Sequence, residues 1–164
     1  MHSLRDKKTC MALAAGAVLP LAMAGVSSAA TVNGTCAAPT GLAFKTATVQ
    51  TGTMSTTFVD VANTQVTFVQ GGTGPNCVVV AFTASANNGP GNSMIVRAVL
   101  DDSIICEPKG DTYFSSADDL RGSAMNFVCP SVSPGGHAIK MQFRSLNGGQ
   151  VAFDHRSTIV HFRK

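Results

Sequence analysis

The side chains that could do chemistry are three histidines (His137, His155, His161), two acidic pairs (Asp101-Asp102, Asp118-Asp119) and four cysteines after residue 30. Histidines could hold a metal ion or move protons. His155 and His161, however, lie six residues apart on one extended segment, and at about 3.3 Å per residue that separates them by about 20 Å. If the chain turns back about Asn147-Gly148, His155 falls opposite Lys140 and not beside His137. The pattern predicts strand-surface histidines and no metal site.

The acidic pairs could ligate calcium or serve as an acid and a base. Neighbouring acids on an extended chain point to opposite sides, and the Asp-x-Asp-x-Asp-Gly spacing of a calcium loop is missing. Both pairs read as turn formers. Nucleophile motifs are absent too: there is no Gly-x-Ser-x-Gly elbow and no His-Glu-x-x-His. Gly71-Gly72-Thr73-Gly74 runs into a strand, so it lacks the helix N-terminus that would make it an anion site. No catalytic residue, metal ligand or cofactor is expected. The polar stretch 107–121 concentrates charge, and it is where a ligand site is first expected.

The elements that must position these groups are strands. Ala138 to Arg144 alternates strictly, with Ile139, Met141 and Phe143 on one face and Lys140, Gln142 and Arg144 on the other. Pro134-Gly135-Gly136 and Asn147-Gly148-Gly149 bracket it, and a last strand ends at Phe162, so Pro134–Phe162 reads as a hairpin. Weaker strand signals cover 44–51, 57–61 and 64–70. Cys77 to Ala84 is a nearly continuous apolar run, as expected of a central strand covered on both faces. Met94 to Leu100, Ile104 to Cys106, Thr112 to Phe114 and Ser123 to Cys129 follow, with Asp101-Asp102 as a two-residue turn. Nine to eleven short strands without an amphipathic helix predict an all-β fold, an antiparallel two-sheet sandwich of jelly-roll type. Nine Phe, one Tyr and no Trp suggest rings used as core and not as a sugar-stacking platform.

Residues 1–30 read as a signal peptide. Arg5, Lys7 and Lys8 precede an apolar run from Met11 to about Gly25, and Ser28-Ala29-Ala30 places small residues at a cleavage site before Thr31. The run is shorter than the about 20 apolar residues of a membrane span. Residues 31–43 then form an arm, and 44–164 a single domain, with secretion to the periplasm or beyond. The whole chain has 12 Lys+Arg against 9 Asp+Glu. Removing Arg5, Lys7, Lys8 and Asp6 leaves nine basic and eight acidic groups, a net charge of +1. That balance excludes the basic footprint of a nucleic-acid binder.

Cys36, Cys77, Cys106 and Cys129 form an even set in a short exported chain, which predicts two disulfides with three possible connectivities. Cys106 and Cys129 sit at strand ends flanking one excursion, which favours that pair and leaves Cys36–Cys77. Zinc is disfavoured because no Cys-x-x-Cys pair exists.

Three stretches carry a resemblance: Val96-Arg97-Ala98-Val99-Leu100-Asp101-Asp102; Phe127-Val128 with Pro134-Gly135-Gly136-His137; and Gln142-Phe143-Arg144-Ser145 with Gly148-Gly149. Together they resemble small secreted, uncharacterised bacterial β-sandwich proteins over roughly residues 56–163, which implies fold and export and no catalytic residue. The organisation also resembles the trimeric jelly rolls of tumour-necrosis-factor-type domains. The sequence therefore points to an exported, disulfide-stabilised, non-catalytic binding or surface-interaction module. A self-associating structural subunit, pilin-like or trimeric, and a secreted hydrolase are the alternatives.

Overall fold

Along most of this chain one side chain points inward and the next points out. In the computed structural model residues 33–116 and 120–164 are described, so the expected leader and Asp118-Asp119 lie outside the described residues. Eleven strands follow in order: β1 (Gly41–Ala47), β2 (Thr51–Thr53), β3 (Val59–Asp60), β4 (Val66–Gln70), β5 (Asn76–Asn88), β6 (Met94–Leu100), β7 (Ile104–Ile105), β8 (Thr112–Ser115), β9 (Arg121–Val132), β10 (Gly135–Ser145) and β11 (Val151–Phe162). Sheet A has five strands in the order β1-β11-β5-β9, with β2 also on β11; sheet B has six in the order β3-β10-β6-β7, with β4 on β10 and β8 on β6. All pairings are antiparallel. The all-β two-sheet sandwich is the expected fold class.

Between the sheets, Val78, Val80, Phe82, Ala84 and Ala86 of β5 face Ile139, Met141 and Phe143 of β10. Phe153 is the centre of an aromatic cluster, with ring centroids 5.4 Å from Phe82, 5.4 Å from Phe114 and 5.2 Å from Phe143. Burying one such ring contributes about 1.5–3 kcal/mol. Two disulfides staple the ends: Cys36–Cys77 holds the arm to β5, and Cys106–Cys129 holds the segment after β7 to β9. They close spans of 41 and 23 residues, and each loop of that order stabilises by about 3–4 kcal/mol.

Two local expectations are corrected. β10 and β11 are not a hairpin: β10 belongs to sheet B and β11 to sheet A. Both strands carry an inward aromatic, Phe143 and Phe153, and the turn at 146–150 carries the chain across the sandwich so that these rings meet in the core, tilted by 39°. β5 is central but not covered on both sides, since Ala81, Thr83 and Ser85 leave its outer face partly open. The strand covered on both faces is β6, where Ile95 and Val99 are buried along with Val96 and Ala98.

β11 also changes phase. Its register against β5 runs Phe153↔Ala86 and then Arg156↔Ala84, so one extra residue is accommodated as a bulge. Before it Val151 and Phe153 face inward; after it Arg156, Thr158, Val160 and Phe162 do. The bulge turns a cation into the interior, and Arg156 is only 4% exposed. Its Nε and one terminal nitrogen donate to the Ala62 carbonyl at 2.9 and 2.7 Å, and the other donates to the carbonyls of Val49 and Asp154 at 2.6 and 3.0 Å. Burial pulls its pKa below the usual arginine value, and the surrounding carbonyls solvate a charge that no carboxylate among the described residues pairs with.

Replacing Arg156 by Met keeps much of the apolar stem and removes every donor. Hydrogen bonds to a charged group contribute about 1.5–3 kcal/mol each, shared here among carbonyls that can partly rehydrate, so the expected loss is about 3 kcal/mol. Urea unfolding of the purified protein measures it. A loss below about 1 kcal/mol would show that the loops close without this clamp.

Candidate functional site

The outer face of sheet A is built from three residue rows lying in register across four strands. Leu42, His161, Val79 and Val128 form the first; Phe44, Ile159, Ala81 and Asn126 the second; Thr46, Ser157, Thr83 and Ala124 the third. At about 4.8 Å between strands each row spans about 14 Å. None of these positions is Lys, Arg, Asp or Glu. At the third row lies a shallow groove of about 550 Å³ lined by Thr46, Thr83, Ser85 and Ser157, whose hydroxyls lie on the outward side, by Gly122 and Ala124 of β9, and by His155 at its rim. Arg156 lies beneath the groove with its guanidinium engaged as described. Phe44 and Leu42, 65% and 55% exposed, give the face an apolar end.

The outer face of sheet B is the opposite in character. Lys140 Nζ lies 2.8 Å from Asp60 and 2.7 Å from Asp102, and Gln142 donates to Asp60 at 2.7 Å. Arg97 donates to Gln142 Oε1 and covers the Phe58 ring at 3.9 Å. Hydrogen bonds from Lys140 and Gln142 hold the Asp60 carboxyl below the ordinary range. In the stretch 107–121, Lys109 pairs with Glu107 and Asp111 with Arg144 at 2.7 Å. Tyr113, Ser115 and Arg121 line a depression of about 280 Å³. Of the charges in this stretch, Glu107, Lys109 and Asp111 are thus paired within the fold.

Of the candidate residues, the structure brings together His137 and Asp101. Nδ1 lies 2.7 Å from the Asp101 carboxylate and Nε2 lies 2.8 Å from the Ser133 carbonyl. Asp101 also accepts the Ala138 N–H at 2.9 Å. A His–Asp dyad of this kind serves hydrolysis only when Nε2 faces a nucleophile; here a backbone carbonyl fills that position. Both partners are acceptors, an arrangement that favours the doubly protonated ring, which donates from both nitrogens. Asp101 and Asp102 occupy left-handed backbone, φ 49° and 62°; Leu100 pairs with Ile104, so the connection is the three residues Asp101-Asp102-Ser103 and not the expected two. His155 and His161 sit apart on β11. Among the described residues no three His, Cys, Asp or Glu side chains gather as a metal site, and no helix is long and apolar enough to cross a membrane. Sequence reasoning missed the groove. Its signal was the Ala81-x-Thr83-x-Ser85 alternation, small and hydroxylated on the outward side.

No known family profile matches the chain, and no curated protein matches it. Among solved structures it is similar to a carbohydrate binding module from Cellvibrio mixtus lichenase 5A in complex with cellotriose. Identity is 13% and the TM-score 0.38, over 75% of this chain and 89% of that one. It is also similar to a family two carbohydrate esterase from Cellvibrio japonicus, at 18% identity and a TM-score of 0.28, over 71% of this chain and 34% of that one. The chain thus spans about a third of the esterase's length. Both likenesses are too distant to bear on the site, whose reading rests on its own residues.

Burial works against the charged His137 ring, but hydrogen bonds to Asp101 and Ser133 and the charge of Asp101 outweigh it, so its pKa lies above the ordinary 6.5. The folded value being the higher one, this stabilisation is complete below pH 6.5 and is lost as pH rises through the folded value. The urea midpoint of the wild type is expected to fall across that window and that of His137→Gln to stay flat. Parallel curves for the two proteins would refute the assignment.

Proposed function

We propose that the protein is an exported, non-catalytic binding module that takes a neutral, hydroxyl-rich chain, a carbohydrate, across the outer face of sheet A. The observation that carries this reading is the groove itself: hydroxyls from β1, β5 and β11 converge, beside small residues of β9, on a surface whose three rows bear no fixed charge. A neutral polyol exchanges its water for Ser and Thr hydroxyls without desolvating an ion, which keeps the cost of docking low. The exposed Phe44 ring offers a face for sugar C–H groups at the apolar end. Export is supported by the leader pattern and by two disulfides, which persist in oxidising compartments. A hydrolytic reading loses its best support in the Ser133 carbonyl that occupies His137 Nε2.

Affinity electrophoresis against soluble neutral glucans, xylans and mannans, with polygalacturonate as the acidic control, tests this. Retardation by at least one neutral polymer is expected, insensitive to salt and without release of reducing ends. Thr83→Glu, which plants a charge in the middle of the groove, is expected to weaken binding at least tenfold (about 1.4 kcal/mol or more), whereas Thr67→Glu on exposed β4 leaves it intact. Binding only to the acidic polymer, or equal binding by Thr83→Glu, would sink the proposal.

A further inference from the structure

The four edges of the sandwich are not alike. β1 carries Lys45 at its middle, and that edge breaks between Ala47 and Thr51. β3 and β4 are two and five residues long, and β7 and β8 are two and four. Short strands, breaks and edge lysines are the means by which sheet edges avoid pairing with other chains. β9 differs: it is a 12-residue edge strand. Its C-terminal half is covered within the chain, where Glu107 and Val128 exchange both backbone hydrogen bonds at 2.7 and 2.8 Å and Cys129 is tied to Cys106. Along Gly122-Ser123-Ala124-Met125-Asn126 no strand among the described residues pairs with the outer edge. This stretch holds no Lys, Pro or bulge, and its register against β5 is unbroken.

We infer that Gly122–Asn126 of β9 pairs antiparallel with the same stretch of a second copy, joining two A sheets edge to edge around a two-fold axis. A row of N–H and C=O groups without a strand partner among the described residues calls for a strand, and three features favour an identical one. Gly122–Asn126 is uncharged, so two copies approach without like-charge repulsion. Of the outward side chains Gly122, Ala124 and Asn126, the first two are small, and Asn126 falls opposite Gly122 of the second copy, so little bulk sits at the seam. The phase also closes: residues directly opposite one another share a face, so centring the axis on Ala124 sets Gly122 against Asn126 of the second copy and Ser123 against Met125, outward with outward and inward with inward. Met125, half-buried at the open end of the core, then gains cover. The pairing unites two five-stranded sheets and continues the Thr46–Ser157–Thr83–Ala124 row into its counterpart. It holds whether or not the groove takes a carbohydrate.

Sedimentation equilibrium of the mature protein, run with hydrogen exchange at low and high concentration, tests the inference. The expected result is a dimer mass, with slowed exchange at high concentration confined to 122–126. Ala124→Lys, an exposed edge lysine, is expected to raise the dimer dissociation constant at least tenfold. Because the exchange measurement uses the wild type, a folding defect in that variant does not decide the outcome. A monomer at every concentration overturns the inference. So does a dimer that ignores Ala124→Lys or protects other amides, and so does protection of 122–126 that appears only when a polysaccharide is added.

Discussion

The interaction on which most of this structure depends is the burial of the Arg156 guanidinium among backbone carbonyls. A charge inside a sandwich costs several kcal/mol unless it is fully bonded, and here Val49, Ala62 and Asp154 supply the oxygens. Val49 lies between β1 and β2, Ala62 between β3 and β4, and Asp154 in the bulge of β11. One side chain therefore fixes two crossings and the irregularity that admits it. The consequence reaches the surface: because the bulge shifts the phase of β11, Ser157 and Ile159 face outward while Thr158 and Val160 face the core. Without that shift Ser157 would point inward and the hydroxyl row across sheet A would be interrupted.

The two outer faces divide the chemistry of a chain in which only 13% of residues are charged. Lys140, Gln142, Asp60 and Arg97 on sheet B are bonded to one another, and exposed pairs of this kind contribute about 0–1 kcal/mol each. Their larger effect is to leave few unpaired charges there to recruit an ionic partner. Sheet A's rows hold no such groups. The near balance of charge beyond residue 30 is thus distributed over two unlike surfaces, one internally compensated and one whose rows hold no Lys, Arg, Asp or Glu.

Strand existence was readable where alternation and turn residues agreed. Met94–Leu100, a turn at Asp101-Asp102 and the alternating face of Lys140, Gln142 and Arg144 stand as the periodicity implies, because each is fixed by neighbours a few residues away. What failed to show was long-range. Whether the chain after Asn147 pairs back on β10 or crosses to the other sheet depends on where Phe143 and Phe153 find a common core, and alternation is identical in both cases. The apolar run of β5 fits a strand covered twice or once; small outward residues decide it, and only the register with β9 and β11 shows that they form a surface. The bulge at Asp154-His155 carries no composition signal, so the inward Arg156 could not be anticipated.

His137 shows how much of a catalytic appearance local geometry can cancel. The imidazole and Asp101 carboxylate stand at hydrogen-bond distance, as a hydrolase requires, yet the second ring nitrogen is spent on Ser133. Bonded at both ends, the ring joins the β6–β7 turn to the chain entering β10. Asp101 completes the joint by accepting the Ala138 N–H while held at a positive φ that only a short polar side chain tolerates well. The same three residues that would suggest acid–base catalysis thus close one end of sheet B. With that pair committed to structure, the proposed recognition rests on the groove of sheet A, beside rows that bear no fixed charge.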